Sequence, residues 1–302
     1  MALSLFFFFM MSHVLFIFNP EHDLCLANGG RYYVPPKSAL DFAKEGSGLM
    51  KEIYGDGIAV TYADGYAQWK EQNSAFVIEK VVPWGWDLRL KYTLLGQGMI
   101  PSLLPDDEEL EKLRNLQHRK TLMPLQPHAA IVHSVDELLS ATQDHDSVLK
   151  SPWSGAGRGV RFVRQPYTEQ DLSWTAKVIS KQGCVIVERR LSLKNDFALE
   201  FWCDDGEARF MGLSLFKTHN GVYRYNIHID DDAIRNTIGL TQDFETMVAD
   251  WIGTTIAPLY QGPLGVDCIQ TEDGNLYVSE MNLRHTMGMI GLEGFKKIYE
   301  NL

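Results

Sequence analysis

The chain has 302 residues, of which 45% are hydrophobic and 22% charged, and its formal net charge is -11. That length suits two domains of ordinary size, and that composition is typical of globular proteins. The acidic charge disfavours general binding to nucleic acids because it repels their phosphate backbones, but it is compatible with one small, locally basic nucleotide pocket.

The four cysteines are widely scattered and include no CxxC pair. Structural zinc and a disulfide scaffold are therefore both disfavoured. Scattered free thiols fit a reduced, cytoplasmic compartment. The cysteines are Cys25, Cys184, Cys203 and Cys268.

The N-terminal stretch from residue 2 to residue 18 is almost entirely apolar. It lacks the positive start and the small-residue cleavage site of a signal peptide. The polar run 19–23 ends it before the ~20 apolar residues that a membrane helix needs, so we expect no membrane span. Val14–Phe18 is predicted to be a first buried strand behind an upstream extension, with Met10 or Met11 as the true start.

The first hundred residues alternate between strand and helix patterns, which favours a parallel sheet. No Gly-rich dinucleotide fingerprint follows the first strand. The polar loops 19–23 and 84–87 follow strands, where α/β sheets place ligands, although a structural role is the preferred interpretation of both. Beyond the first strand, the predicted strands are 58–62 and 75–78, and the predicted helices are 38–54 and 87–96.

A domain boundary is expected at 101–107, which contains two prolines and begins an acidic run. A helix is then predicted over 110–125 from its leucine spacing. The sequence pattern of the second half predicts short strands joined by tight turns, with hairpin turns indicated at Asp205-Gly206 and Asp273-Gly274. Its predicted strands are 147–150, 160–163, 184–188, 197–203, 209–216, 265–270 and 276–282, and its predicted helices are 169–182 and 244–260.

A lysine and a Gly-rich loop form the first chemical feature. Lys150 ends a strand, and Gly155, Gly157 and Gly159 follow within a short loop before the next strand. Glycines let backbone N–H groups approach phosphate oxygens, and Ser151 and Ser154 add hydroxyl donors. The spacing is neither a P-loop nor a dinucleotide loop, so a flexible hairpin loop is the alternative interpretation.

The last predicted hairpin carries the second feature. Pairing across Asp273-Gly274 can bring Asp267 opposite Glu280, and Glu280 and Asn282 share one strand face because they are two residues apart. Three oxygen ligands on one surface suit Mg²⁺, which also removes the repulsion between two carboxylates. A polar sheet face in solvent is the alternative. Arg284 follows, where a guanidinium can stabilise phosphoryl charge.

In their order along the chain, these pieces resemble the ATP-grasp superfamily in its carboxylate–amine ligase branch. The resemblance rests on the lysine strand with its Gly-rich loop, a strand ending in Glu188, the Asp267 strand and the Glu280-x-Asn282-x-Arg284 run, and it covers residues 110–302. It implies an α/β N-terminal, Rossmann-like domain at 12–105, followed by an α+β ATP-grasp domain at 106–302. The two subdomains that clasp ATP would span 117–190 and 191–302.

The resemblance also implies a role for each site residue, with ATP and Mg²⁺ as cofactors and Mn²⁺ as an alternative ion. Lys150 and Arg284 are the expected catalytic residues, and Asp267, Glu280 and Asn282 the expected metal ligands. Either Arg119 or Lys120 would supply a further basic contact, and Glu200 competes with Asp196 for the ribose. The expected nucleotide-binding residues are Lys120, Lys150, Ser154, Gly155, Gly157, Gly159, Glu188, Arg189, Leu191 and Asp196.

The implied function is an ATP-dependent ligase that converts a carboxylate to an acyl phosphate and joins it to an amine. Its partners would be small-molecule carboxylates and amines, with no nucleic acid and no membrane. Two alternatives stay open: a regulatory module that binds nucleotide without catalysis, and a small-molecule kinase on the same fold.

Overall fold

The computed structural model describes residues 13–54, 58–142, 145–154, 159–219 and 222–292. The chain forms two compact units and passes from the first to the second between Arg114 and Asn115. The apolar N-terminal extension and the predicted start at Met10 or Met11 lie outside the described residues.

A three-stranded parallel sheet of order β2-β1-β3 organises the first unit, so the predicted parallel sheet is confirmed. Its strands are β1 (Val14–Phe18), β2 (Ala59–Tyr62) and β3 (Lys80–Pro83). All five residues of β1 are buried because the strand is apolar on both faces and is paired on both edges.

Helices of the first unit pack around this sheet. The predicted helix 38–54 is confirmed, and so is 87–96, whose N-cap Asp87 accepts a hydrogen bond from the backbone N of Leu90. The helices are α1 (His22–Asn28), α2 (Lys37–Tyr54), α3 (Tyr66–Gln72), α4 (Leu88–Gly96) and α5 (Asp107–Leu116), with 3₁₀ turns at Ala63–Gly65 and Pro101–Leu103.

The strand predicted at 75–78 is wrong, because the structure places β3 at Lys80–Pro83. Both segments carry β-branched residues, and only the pairing with β1 decides between them. Lys80 lies opposite Val14, and Val81 becomes part of the core, whereas Val77 is 62% exposed.

A four-stranded antiparallel sheet of order β4-β7-β5-β6 begins the second unit. Leu149, Val185 and Val187 of this sheet form a hydrophobic core with Leu138 of the helix between β4 and β5. The elements are β4 (Ala129–Val132), α6 (Val135–Ala141), β5 (Ser147–Lys150), β6 (Val160–Val163), α7 (Glu169–Gln182) and β7 (Val185–Arg189).

A five-stranded antiparallel sheet of order β10-β9-β8-β11-β12 completes the second unit. The predicted turn at Asp205-Gly206 is confirmed, since both residues have positive φ, 49° and 79°. The elements are β8 (Leu193–Asp204), β9 (Glu207–His219), β10 (Val222–Ile227), α8 (Asp231–Ile238), α9 (Gln242–Trp251), a π turn (Ile252–Ile256), β11 (Gly262–Thr271) and β12 (Leu276–Asn282).

The continuous helix predicted over 110–125 is wrong. Helix α5 ends at Leu116, and Arg119–Leu125 forms a separate 3₁₀ segment. His118 takes an extended conformation and its ring accepts a hydrogen bond from the backbone N of Lys120, which starts the new segment. Pro124 lacks the N–H that a continuing α-helix needs.

In the described parts of the chain, no helix combines the length and apolar character needed to cross a membrane. All four cysteines are buried free thiols, as the sequence predicted for a chain without a disulfide scaffold.

Candidate functional site

The hairpin of β11 and β12 brings the predicted metal ligands onto one face of the five-stranded sheet. Asp267 lies directly opposite Glu280, and Gly265 lies opposite Asn282. Residues that face each other across an antiparallel pair project to the same side. The side-chain amide of Asn282 also donates to Oδ2 of Asp267 at 3.1 Å. The three side chains therefore lie on one face of the hairpin, with Asp267 and Asn282 in direct contact.

The same sheet face continues across β8, where Glu200 lies opposite Gly265. Glu200 is 1% exposed and accepts hydrogen bonds of 2.9 Å from the hydroxyls of Ser214 and Thr286. Its carboxylate fits because two glycines leave room: a Cβ on Gly265 would lie 2.7 Å from one oxygen and a Cβ on Gly288 would lie 2.0 Å from the other. Burial raises the pKa of Glu200 to about 7.

Negative charge accumulates on this face. Burial raises the pKa of Asp267 well above its usual range, the negative charges of Glu280 and Glu200 raise it further, and Arg284 and Asn282 oppose the rise. Carboxylates held close together in a poorly solvated place must bind a proton or a cation to relieve the repulsion. The electrostatics of the face therefore favour a cationic ligand.

Arg119, at the start of the 3₁₀ segment Arg119–Leu125, is hydrogen-bonded to one of these carboxylates, that of Glu280. One guanidinium nitrogen donates to Oε1 of Glu280 at 2.5 Å, and the other donates to the carbonyl of Ser151 at 2.6 Å and to Oγ of Ser154 at 2.8 Å. Arg119 is 6% exposed, whereas the side chain of Lys120 is exposed. Of the two basic candidates, Arg119 is thus the one bonded to the site.

Lys150 lies at the end of β5, and its buried ammonium contacts a second carboxylate. Its Nζ lies 2.7 Å from Oε1 of Glu188 and donates to the carbonyl and hydroxyl of Ser279 at 3.1 and 3.2 Å. Ser279 precedes Glu280 on β12, so the lysine predicted to hold phosphate lies against the strand that carries a predicted metal ligand.

The segment after Lys150 is closely packed at its described ends. The N–H and hydroxyl of Ser151 donate to the carbonyl of Gly159 at 2.8 and 3.1 Å. A Cβ on Gly159 would lie 2.1 Å from both Oγ of Ser151 and Cβ of Ser154, so a larger residue does not fit there. The predicted phosphate-loop residues Gly155 and Gly157 lie outside the described residues.

Arg284 extends the network from the end of β12. Its guanidinium donates to Oδ1 of Asn282 and to the carbonyl of His285, both at 2.9 Å. Because Asn282 donates in turn to Asp267, a chain of polar contacts runs from Arg284 through the amide to the buried carboxylate.

The remaining predicted nucleotide residues that the structure describes are Arg189, Leu191 and Asp196. Arg189 is the exposed last residue of β7, and Leu191 is half-buried in the link to β8. Asp196 is buried on β8, where it accepts a 2.6 Å hydrogen bond from Thr218, and burial raises its pKa. Among the described residues, none of the three is hydrogen-bonded to Lys150 or Glu188.

The donor set suits a hard divalent cation. Within the ranges that the structure describes, no group of three His, Cys, Asp or Glu side chains is arranged as a metal site. Asp267, Glu280 and Asn282 instead offer two carboxylates and an amide, and Mg²⁺ commonly takes only one or two protein carboxylates and completes its shell with phosphate and water. Asp267, Glu280 and Asn282 thus fit an ion held jointly with a nucleotide.

The fold is similar to several solved structures. It matches N5-carboxyaminoimidazole synthetase from Staphylococcus aureus complexed with ADP at a TM-score of 0.52 and 15% identity, over 92% of this chain and 72% of that one. It matches the biotin carboxylase–βγ-ATP complex from Campylobacter jejuni at a TM-score of 0.56 and 14% identity, over 94% of this chain and 67% of that one.

A third similar structure is the biotin carboxylase domain of 2-oxoglutarate carboxylase from Hydrogenobacter thermophilus, in complex with MgADP, ADP and bicarbonate. The TM-score is 0.54 at 13% identity, over 94% of this chain and 68% of that one. No protein-family model and no curated protein sequence matches the chain. At these identities the likeness shows the fold alone: this chain shares the fold of these structures and has mixed α/β content.

Proposed function

We propose that this chain is an ATP- and Mg²⁺-dependent ligase that activates a small-molecule carboxylate as an acyl phosphate and joins it to an amine. The observation that supports this most is the convergence of Asp267, Glu280 and Asn282 on one sheet face, close to Lys150, in a chain with the ATP-grasp fold. The solved structures of similar fold that contain ADP, ATP or MgADP support the same nucleotide.

Lys150 and Glu188 form the nucleotide side of the proposed site. Lys150 would bind the α- and β-phosphates, exchanging its contact with Glu188 for a contact with phosphate oxygens. Glu188, with the backbone near Arg189 and Leu191, would contact adenine, and Asp196 is the proposed ribose acceptor. Ser154 and the glycines at 155, 157 and 159 would cover the phosphates and exclude water, which protects an acyl phosphate from hydrolysis.

The metal side consists of Asp267, Glu280 and Asn282. A bound Mg²⁺ supplies charge neutralisation on the transferred phosphoryl group and orients it. The raised pKa of Asp267 supports this assignment, since a cation removes the repulsion that burial makes costly. Arg119 and Arg284 would add fixed positive charge where negative charge develops during transfer.

The domain organisation follows the same proposal. The Rossmann-like domain would occupy 12–105, and the ATP-grasp domain 106–302, with subdomains at 117–190 and 191–302. The four free thiols support a cytoplasmic location.

Phosphate release in the presence of ATP, Mg²⁺ and pools of carboxylates and amines tests the activity. We expect release that needs both pools, and a product whose mass equals the two substrates minus water; a product that gains a phosphoryl group would instead identify a kinase. Glu280→Gln keeps the side-chain shape and should lower turnover about 100-fold or more. Glu272→Gln, an exposed carboxylate on the same hairpin, is the matched control. Full turnover by a folded Glu280→Gln variant contradicts the assignment.

A further inference from the structure

Glu200 is a buried carboxylate on the sheet face that carries the candidate metal ligands. It lies on β8 opposite Gly265 and is 1% exposed. The sequence suggested it as an alternative to Asp196 for the ribose, but both of its oxygens accept hydrogen bonds from this chain. Burying a carboxylate costs free energy unless such bonds compensate for it. The partners of its two oxygens therefore indicate what Glu200 contributes at this position.

One oxygen of Glu200 holds the segment that follows β12. Oε2 accepts a 2.9 Å hydrogen bond from the hydroxyl of Thr286, and the oxygen of that hydroxyl accepts from the backbone N of Met289 at 2.9 Å. Thr286 is 7% exposed, so little water competes for these bonds. Because a hydroxyl can donate to a carboxylate or accept from a carboxylic acid, Glu200 and Thr286 stay bonded in either protonation state of Glu200.

The other oxygen of Glu200 is bonded within the sheet. Oε1 accepts a 2.9 Å hydrogen bond from the hydroxyl of Ser214 on β9, which lies opposite Ala198 of β8. β8 is the central strand of the five. Glu200 thus joins the centre of the sheet to the segment after β12.

Arg284 is the residue whose orientation depends on that segment. One terminal nitrogen of its guanidinium donates at 2.9 Å to the carbonyl of His285, which belongs to the peptide group that joins His285 to Thr286. The other terminal nitrogen donates at 2.9 Å to Oδ1 of Asn282. The hydrogen bonds of Thr286 therefore hold one of the two acceptors that orient the guanidinium.

Gly265 provides the space in which Glu200 and Thr286 meet. A Cβ at this position would lie 2.7 Å from Oε2 of Glu200 and 2.7 Å from Cγ2 of Thr286, so a side chain would push the two apart. Burial raises the pKa of Glu200 to about 7, and the two hydroxyls and the positive charge of Arg284 oppose the rise. The carboxylate thus also attracts the guanidinium electrostatically.

We propose that Glu200 is a positioning residue for Arg284, acting through Thr286 and the carbonyl of His285. On the proposed function, Arg284 contacts the phosphoryl group during transfer, and the effect of Glu200 on catalysis rests on that contact. A guanidinium held by two fixed acceptors keeps its remaining N–H groups in one direction, so it needs no reorganisation when charge develops. Glu200 therefore affects the rate of phosphoryl transfer more than the binding of ATP.

Four variants separate this positioning from packing. Thr286→Val removes the hydroxyl that leads to Arg284 and keeps the shape of the side chain. Glu200→Leu removes the carboxylate and, with it, the cost of burying a charge, so it tests the same link if Thr286→Val does not fold. Ser214→Ala removes the other hydroxyl bonded to Glu200 and is the matched control. Thr286→Ser restores a hydroxyl on the same segment.

Arginine ¹⁵N NMR of the full chain without nucleotide observes the guanidinium directly, so its outcome is independent of ligase activity. We expect separate Nη signals for Arg284 in the wild type, because its hydrogen bonds slow rotation about the Cζ–Nη bonds, and Arg284→Lys identifies these signals. Thr286→Val and Glu200→Leu should merge them, whereas Ser214→Ala and Thr286→Ser should keep them separate. Merged signals in the wild type overturn the proposal, and so do separate signals in folded Thr286→Val or Glu200→Leu, or equal merging in Ser214→Ala.

Phosphate release with MgATP and both substrate pools measures the effect on catalysis. Thr286→Val and Glu200→Leu should lower kcat about tenfold and change the KM for ATP by less than about twofold, since Arg284 would be displaced while the nucleotide contacts remain. Ser214→Ala should stay within about twofold of the wild type. A raised KM with unchanged kcat overturns the positioning role. A wild type without activity would instead contradict the proposed function, and the NMR comparison then decides the positioning by itself.

Discussion

Arg119 and Glu280 are joined by a 2.5 Å hydrogen bond between a buried guanidinium and a carboxylate of the candidate metal site. The side chain of Glu280 is 28% exposed and faces Asp267, so Arg119 offsets negative charge at the place where burial raises the pKa of that aspartate. The arginine also holds Ser151 and Ser154. One side chain thus connects β12 to the segment that follows β5.

Replacing Arg119 with alanine should lower the free energy of unfolding by about 2 kcal/mol, because it removes charge-assisted hydrogen bonds and leaves Glu280 facing Asp267. Lys120→Ala is the matched control, since this exposed neighbour should cost less than about 0.5 kcal/mol. Urea unfolding in the absence of divalent ions measures both values. If the free energy of unfolding fell equally in the two variants, the hydrogen bonds of Arg119 would not stabilise the fold more than exposed Lys120 does, which contradicts the prediction.

Asp267→Asn should weaken the binding of MgADP and lower the stabilisation that MgADP provides. A ligand at about 100 times its Kd stabilises a folded protein by about 2.7 kcal/mol, and this gain falls when the affinity falls. Thermal unfolding with and without MgADP measures the effect as a difference in Tm. Asp273→Asn is the control because Asp273 lies in the exposed turn of the same hairpin, bonded to Thr271 and Asn275. An undiminished MgADP effect in Asp267→Asn would contradict the metal assignment.

Local sequence signals predicted the hairpin that carries the candidate metal ligands, but not its full register. The Asp273-Gly274 turn joins β11 and β12, and Cys268 pairs with Val278 in the register that this turn sets. A bulge between Asp267 and Cys268 then shifts the pairing by one residue and places Asp267 opposite Glu280. Alternation by two places Asn282 on the same face as Glu280. The turn and the alternation are local patterns, whereas no local pattern in the sequence predicted the bulge.

Contacts between distant residues could not be predicted in this way. Arg119 and Glu280 are 161 residues apart, so no local pattern selects Arg119 over Lys120. The place of Glu200 depends on Gly265 and Gly288, which come from other elements. The position of β3 was predicted wrongly for the same reason, since pairing with the distant strand β1 outweighs local strand propensity.

The raised pKa of Glu21 predicts a loss of stability as the pH rises. Between pH 4.5 and about 7 the folded chain binds more protons at this carboxyl than the unfolded chain does, so its contribution falls across that window. The shift corresponds to about 3 kcal/mol. Urea unfolding at pH 5, 6, 7 and 8 should show a shallower decline in Glu21→Gln than in the wild type. Glu79→Gln should retain the wild-type slope, and an unchanged slope in Glu21→Gln would mean that Glu21 titrates as an ordinary surface carboxyl.

Two glycine substitutions test whether the room around Glu200 is required. Gly288→Ala puts a Cβ 2.0 Å from Oε1 of Glu200 and 2.4 Å from Oγ of Ser214, so it should destabilise the fold by about 1–3 kcal/mol. Gly253→Ala meets nothing within 4 Å and lies in a helical turn, so it should be neutral or stabilising by up to about 1 kcal/mol. Urea unfolding measures both. A neutral Gly288→Ala would show that Glu200 can move away, and that its buried position is not fixed by the two glycines.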